Sequence, residues 1–346
     1  MFFVKNGIFF KVAIKQFVHM KIGKNVYIII TIDDKMKEEY DFIVIGAGCA
    51  GLAASMYAAR LGLATLCLGS THGTEDAIGG VITTTDSVEN YPGFIKISGL
   101  DLATAIKKHA LSYELVTLKD EKVESVLGKD KKFTVKTAKA EYKTKAILFA
   151  TGTRWKKLTV PGGKELENKG VAYCALCDGP LYRNKTVAVI GGSDGAVKDA
   201  LVLAQHASKV YIIYRGEEVR AEEINLKRVK SNNKIEVIKN TNVTAINGKE
   251  RVESVDLDRD YKESKKLMVD GVFVAIGHEA MSELAQSLGV KVNEKKEIII
   301  DHITCQTNIA GVYAAGDVAD KPFKQAITGV SEGCTAAHSA YEHIKA

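Results

Sequence analysis

The chain predicts an α/β protein with two nucleotide-binding units, the second inserted into the first, and three observations carry the prediction. The apolar run Tyr40–Ile45 ends in Gly46-Ala47-Gly48-Cys49-Ala50-Gly51. A second run, Val187–Ile190, ends in Gly191-Gly192-Ser193-Asp194-Gly195-Ala196. Near the C-terminus, Gly311-Val312-Tyr313 leads into Ala314-Ala315-Gly316-Asp317. A buried strand that runs through a glycine turn into a helix is the dinucleotide-binding pattern of Rossmann-like units. The first fingerprint and the closing motif lie on either side of the second fingerprint, so the outer unit is discontinuous. The expected architecture is two Rossmann-like domains of three-layer ββα type.

With 346 residues, 46% hydrophobic and 26% charged, the chain is long enough for two cores. Of the net charge of +6, residues 1–35 supply +4 from six lysines and two aspartates, leaving +2 for the remainder. That balance predicts no nucleic-acid partner. Residues 1–35 are expected to be an N-terminal extension read from an upstream start, a start-site artefact, with the working protein beginning at Met36. The alternatives are a basic amphipathic helix lying on a membrane and a small strand over Val26–Ile32. No apolar run there approaches the ~18 residues that span a bilayer, so no membrane partner is expected.

In the first fingerprint, Gly46 permits a tight turn, Gly48 lets backbone approach a pyrophosphate and Gly51 lets the helix pack closely, with Cys49 and Ala50 between them. The helix runs to Arg60, and its N-terminus faces the phosphates. About twenty residues on, the acid that holds an adenosine ribose in NAD enzymes is replaced by Leu66-Cys67-Leu68-Gly69-Ser70, which argues against a simple NAD dehydrogenase. Three further stretches bear on the identity of the first nucleotide, and the last two have the form of flavin-enzyme crossover and closing motifs. They are Gly79-Gly80-Val81 leading to Glu89-Asn90-Tyr91-Pro92-Gly93, the strand ending in Ala150-Thr151-Gly152, and Gly316-Asp317. Asp317 is placed to accept from a ribityl hydroxyl, and a helix from about Gln325, with Ala326 and Ile327, to aim backbone donors at a flavin ring. The chain crosses between units near Trp155–Pro161 and again near Ile276-Gly277-His278, a two-strand connection suited to a hinge.

Six cysteines include only one close pair, Cys174-Ala175-Leu176-Cys177, followed by Asp178. This is no secreted disulfide framework, and no second pair or histidine offers zinc-ligand spacing; a reducing cytoplasm and no metal are expected. Two thiols one helical turn apart close a disulfide that reopens easily, and a helix start lowers a thiol pKa so that a thiolate exists near neutral pH. Asp178 is a candidate proton carrier, with a helix cap as the alternative. Cys49, Cys67, Cys305 and Cys334 read as small buried side chains.

The redox hexamer, the Gly79–Gly93 stretch, Ala314–Asp317 and Lys324–Thr328 with Gly333-Cys334 resemble, in order and spacing, the low-molecular-weight thioredoxin reductases, class II FAD-dependent pyridine nucleotide-disulfide oxidoreductases. The resemblance covers essentially everything after Met36. It implies FAD in a discontinuous domain, residues 36–156 and 284–346, and NAD(P)H in an inserted domain, residues 157–283, that carries the disulfide. It also implies a cytoplasmic homodimer that reduces thioredoxin or a glutaredoxin-like protein. By similarity Cys177 faces the flavin, Cys174 exchanges with the partner, Asp178 is the acid/base, and the inserted domain rotates. The second nucleotide site departs from the family: Ser193 stands where a glycine is usual, and Lys198-Asp199 where acidic pairs are. After the next strand come Tyr214-Arg215-Gly216 and Arg220, where NADPH-specific members have a histidine, two arginines and a later arginine. One lost charge-assisted contact to a 2′-phosphate costs about 1.5–3 kcal/mol. The expected NAD(P)H site is therefore Gly191, Gly192, Ser193, Asp194, Gly195, Arg215 and Arg220. NADPH is the preferred donor, with NADH or ferredoxin as alternatives. Competing functions are a dithiol oxidase and a flavin-bearing redox sensor.

Overall fold

The computed structural model describes residues 38–71 and 78–346, and of the opening stretch the backbone of two antiparallel hairpins, Phe2–Lys5 with Ile8–Lys11 and Phe17–Ile22 with Asn25–Ile30. The strand expected over Val26–Ile32 corresponds to the last of these. The start-site expectation lies outside the described residues.

In the first sheet the strand β1 (Glu38–Ile45), apolar and buried from Phe42 to Ile45, is central. It leads to α1 (Cys49–Arg60), β2 (Thr65–Gly69), α2 (Gly99–Ala110) and β3 (Val116–Asp120). The hairpin β4 (Val123–Lys129) and β5 (Lys132–Thr137) follows, then β6 (Glu141–Phe149). Strands β3, β2, β1 and β6 are parallel neighbours in that order. The outer half of β6 pairs antiparallel with β5, while Ile147–Phe149 pairs in parallel with Val312–Ala314 from near the C-terminus. The two ends of the chain thus complete one sheet, and the helix Ala326–Lys345 packs on α1 through small residues. A Cβ at Gly333 would lie 2.2 Å from the carbonyl oxygen of Ala50, so only glycine allows the helices to approach this closely.

After β6 the chain passes through β7 (Thr153–Trp155), β8 (Val171–Ala172), the one-turn helix α3 (Ala175–Asp178), β9 (Thr186–Ile190), α4 (Asp194–Leu203), β10 (Lys209–Ile213), α5 (Glu223–Lys230) and β11 (Ile235–Ile238). An antiparallel trio, β12 (Val243–Asn247), β13 (Ser254–Tyr261) and β14 (Ser264–Met268), precedes β15 (Gly271–Val274). The second sheet is parallel throughout, in the order β8, β15, β9, β10, β11. It has its own apolar layers on either face, Val171, Ala188 and Val272 on one and Val187, Val189 and Phe273 on the other. The expected fold class, two parallel-sheet nucleotide-binding units, stands. The chain returns through β16 (His278–Ala280), which pairs antiparallel with β7, Trp155 opposite His278. It then forms α6 (Glu283–Ser287), β17 (Val312–Ala314) and α7 (Ala326–Lys345).

Candidate active site

At the end of β1 the backbone turns at Gly46 with φ +113°, and a Cβ there would lie 2.2 Å from the Ala150 oxygen. A Cβ on Gly51 would lie 1.9 Å from the Gly46 oxygen, which is why α1 sits directly on the turn. Gly48 caps α1 in extended conformation without a side-chain hydrogen bond, so the first-turn N–H groups remain available to an anion. Across the turn, Gly79 donates to Ala47 at 2.8 Å. Gly80, at φ +78°, lies so close to Gly48 that a Cβ on it would be 3.0 Å from the Gly48 Cα.

These turns enclose a cleft of about 370 Å³, lined by Gly46, Gly48, Cys49, Ala50, Gly79, Gly80, Val81, Ala150, Thr151, Gly152, Gly316, Asp317, Gln325 and Ala326. Of the residues expected to hold FAD, Gly51 lies beneath the turn, Ile327 is outside the cleft lining and Asn90 lines a different cleft. Asn90 nonetheless reaches the same corner, donating to Gln325 Oε1 at 2.9 Å. Ser70, Glu121, Lys122, Met281 and Lys324 also line the cleft. Of these, Glu121 and Lys122 sit in a short connection with no glycine signature to mark it. Glu332, buried in α7, was equally unmarked; its carboxylate accepts the Gly316 N–H at 2.8 Å and steadies the closing turn. Burial pushes the Asp317 carboxyl up from the ordinary range, while Lys324 and His278 pull it back. Open helix donors, glycine-only approaches and a half-buried carboxyl fit an extended ligand with a pyrophosphate at Gly48 and hydroxyls at Asp317; FAD has that chemistry.

Cys174 and Cys177 form a disulfide with Cα atoms 5.3 Å apart. Cys174 is the N-cap of α3, its sulfur accepting the Cys177 N–H at 3.1 Å. Burial raises the Asp178 carboxyl above its usual value. A second cleft, about 1280 Å³, runs between the two sheets and is lined by Trp155, Tyr173, Cys174, Ala175, Leu176, Lys198 and Asp199 on one side and Val81, Ile82, Asn90 and Asp317 on the other. Val81, Ile82 and Asp317 line both clefts, so the redox segment opens onto the mouth of the glycine-turn cleft. Cys174 is on that wall and Cys177 is exposed, and neither residue is among those lining the glycine-turn cleft.

The second fingerprint is assembled differently. Gly191 makes the close approach, a Cβ there lying 2.2 Å from the Ala275 oxygen. The helix end, however, is capped by Ser193, which accepts from Ala196 N–H at 3.4 Å. Asp194 accepts from the Glu222 N–H at 2.9 Å and pairs with Lys198 at 2.6 Å, contacts that hold its carboxyl below the usual value against the effect of burial. Arg220 N–H donates to the Gly192 oxygen at 2.7 Å, closing the loop over the turn. Arg215 and Arg220 are exposed on that loop, and Gly195 lines the cleft between the sheets. The expected residues are thus together, around a partly self-satisfied turn. Among the described residues no cluster of His, Cys, Asp or Glu could hold a metal, and no helix is long and apolar enough to cross a membrane.

Residues 40–333 match the pyridine nucleotide-disulphide oxidoreductase family. The chain belongs to that family. It is 40% identical over 304 residues to a bifunctional thioredoxin reductase/thioredoxin of Mycobacterium leprae, covering 87% of this chain and 65% of that protein, so it spans about two thirds of that relative's length. It is 38% identical over 312 residues to a thioredoxin reductase of Treponema pallidum, covering 89% of this chain and 98% of that one. The crystal structure of Lactococcus lactis thioredoxin reductase in its FR conformation superposes with a TM-score of 0.83 at 34% identity, covering 88% of this chain and 99% of that one. The family expected from the redox hexamer stands, and with it the expected enzyme class, a disulfide oxidoreductase of the thioredoxin reductase kind.

Proposed function

We propose that this protein is a thioredoxin-disulfide reductase, with FAD in the glycine-turn cleft and the Cys174–Cys177 disulfide as its exit for electrons to thioredoxin or a glutaredoxin-like protein. The observation that carries the reading is the shared wall of Val81, Ile82 and Asp317 between the two clefts. When bound, FAD supplies two-electron redox chemistry there. Gly48 and the open end of α1 hold the pyrophosphate, Asp317 the ribityl hydroxyls, and Gln325 and Ala326 the ring edge. Opening the disulfide consumes two electrons and two protons. An enzyme thiolate then attacks the partner disulfide, forming a mixed disulfide and releasing one partner thiol; the second enzyme thiolate displaces the other and restores Cys174–Cys177. Asp178, with its raised affinity for a proton, is the acid/base.

Neither sulfur lines the glycine-turn cleft in this arrangement, so access of the disulfide first to the flavin and then to the partner calls for rotation of the 157–283 domain about the β7–β16 connection. We favour NADPH over NADH as donor because Arg215 and Arg220 remain on the loop beside the second turn. The Ser193 cap is the observation that keeps a different donor, such as reduced ferredoxin, as the second reading. A cytoplasmic homodimer completes the proposal, supported by four cysteines outside any disulfide and by the exposed Ile303 and Phe323.

Anaerobic titration with NADPH, NADH and reduced ferredoxin, following the flavin absorbance, identifies the donor, and challenge with an oxidised thioredoxin tests the exit. Cys174→Ser and Cys177→Ser each abolish transfer to thioredoxin while leaving flavin reduction intact. Transfer that survives either substitution overturns the assignment.

A further inference from the structure

We infer that Asp199 is a second proton-exchanging carboxyl of the redox segment, holding the proton that Asp178 does not. The proposal deepens the reading above, because it takes Cys174–Cys177 as the redox centre.

Opening the disulfide consumes two protons and re-forming it releases two, while Asp178 accounts for one. Asp199 is on the face of α4 toward the redox helix. It is three residues after Ala196 and four before Leu203, which belong with Ala175 to one apolar layer. The chain just past α3 lies against the same helix, since a Cβ on Gly179 would be 3.5 Å from Leu203 and from His206. Cys174, Ala175, Leu176 and Asp199 line one stretch of the cleft wall, together with Leu201, Val202 and Gln205.

The cations nearest it, on its own helix and on α5, are engaged with other carboxylates. On its own helix Lys198 is paired with Asp194 at 2.6 Å and reaches Glu222 at 3.7 Å. From α5, Arg228 is paired with Glu89 at 2.8 Å, and Glu222 and Glu223 are acidic. The redox helix offers Cys174, Cys177 and Asp178, the turn after it Tyr182, and the end of α4 His206. Across the cleft lie Asp86, Lys96, His278 and Asp317. The Asp199 carboxyl makes neither a hydrogen bond nor an ion pair with any of them, and burial alone pushes it up to about 7. An unpaired carboxyl with that affinity takes up or releases a proton at neutral pH.

The step balances. In the reduced enzyme the Cys174 thiol gives its proton to ionised Asp199, and the thiolate attacks the partner disulfide, breaking its S–S bond and releasing one partner thiolate. Asp199 returns the proton to that thiolate. The proton of Cys177 travels by Asp178, so two thiols on the enzyme become two on the partner.

The test uses the full chain, reduced with dithiothreitol and freed of it without oxygen, so that neither donor nor thioredoxin enters. Iodoacetamide labelling of Cys174 and Cys177 is followed by mass spectrometry from pH 5.5 to 9. In the wild type, Cys174 labelling has a second inflection near pH 7, because ionised Asp199 opposes the thiolate. Asp199→Asn removes that inflection and labels Cys174 about three- to tenfold faster at pH 8. Asp199→Glu, which keeps a titrating group and serves if the amide variant folds poorly, retains it. Superposable profiles for wild type and Asp199→Asn, or loss of the inflection in Asp199→Glu as well, overturn the proposal while leaving the reductase reading intact.

Discussion

A methyl group at Gly46 would meet the Ala150 oxygen at 2.2 Å on backbone already at φ +113°, so this residue carries both a conformational and a steric demand. Gly46→Ala is therefore expected to cost about 2–4 kcal/mol and to release the flavin, read as a lower Tm and a colourless preparation; an unchanged Tm with full colour refutes the close approach. Asp199 makes the opposite kind of demand, since its carboxyl is pushed from an ordinary 3.8 up to about 7. The folded chain then keeps a proton that the unfolded chain has released between those two values. The stability attached to the group is present below about pH 4 and lost as pH rises to about 7. Asp199→Asn should accordingly melt above wild type at pH 8, with the gap closing toward pH 4. A gap that does not change with pH shows that the carboxyl is not held protonated.

At the scale of elements, the second nucleotide turn and its loop set donor choice. The Tyr214 ring lies against the Cα of both Gly192 and Gly216: a Cβ on the first would be 2.3 Å from it and on the second 2.7 Å. Restoring the arginine alone, as Gly216→Arg, drives a side chain into that ring and should not improve binding. Gly216→Arg with Tyr214→His should strengthen NADPH binding about tenfold to a hundredfold and leave NADH nearly unchanged. Stopped-flow flavin reduction at varied nucleotide concentration measures both, and equal gains for the two nucleotides refute a 2′-phosphate role. Sequence pattern revealed this turn because strand, glycine and helix follow one another locally, as they do at Gly46. It concealed what depends on distant chain: the ring of Tyr214 on Gly192, Glu332 on the Gly316 N–H, and Asn90 turned to the other cleft. The strands β12–β14 were equally silent, because their exposed charged positions, such as Asp258, Arg259 and Lys266, dilute the apolar alternation. Which sulfur faces the cleft is likewise a property of how two sheets meet.

For the whole molecule the question is what holds the two units as they stand. Covalently there are only β7 and β16, paired over three residues and continued by Lys156 N–H to the Gly277 oxygen at 3.0 Å. Trp155 on β7 stacks on Tyr173, with ring centres 6.2 Å apart, which ties the connection to the redox segment just before Cys174. Farther out, Arg228 meets Glu89 at 2.8 Å, and Asn90 spans to Glu222 at 3.5 Å. An ion pair with both partners partly exposed contributes at most about 1 kcal/mol. That is small against global stability but worth about fivefold in an equilibrium between two placements of the inserted unit. Arg228→Ala should leave the Tm within about 1 °C of wild type, yet at low salt shift the distribution of distances between fluorophores placed on α2 and α5. High salt should bring wild type toward the variant, because screening removes what the substitution removes. If wild type and variant give one distribution at every salt concentration, the Glu89–Arg228 contact does not bias the arrangement, and the restraint must lie in the connection strands with Trp155.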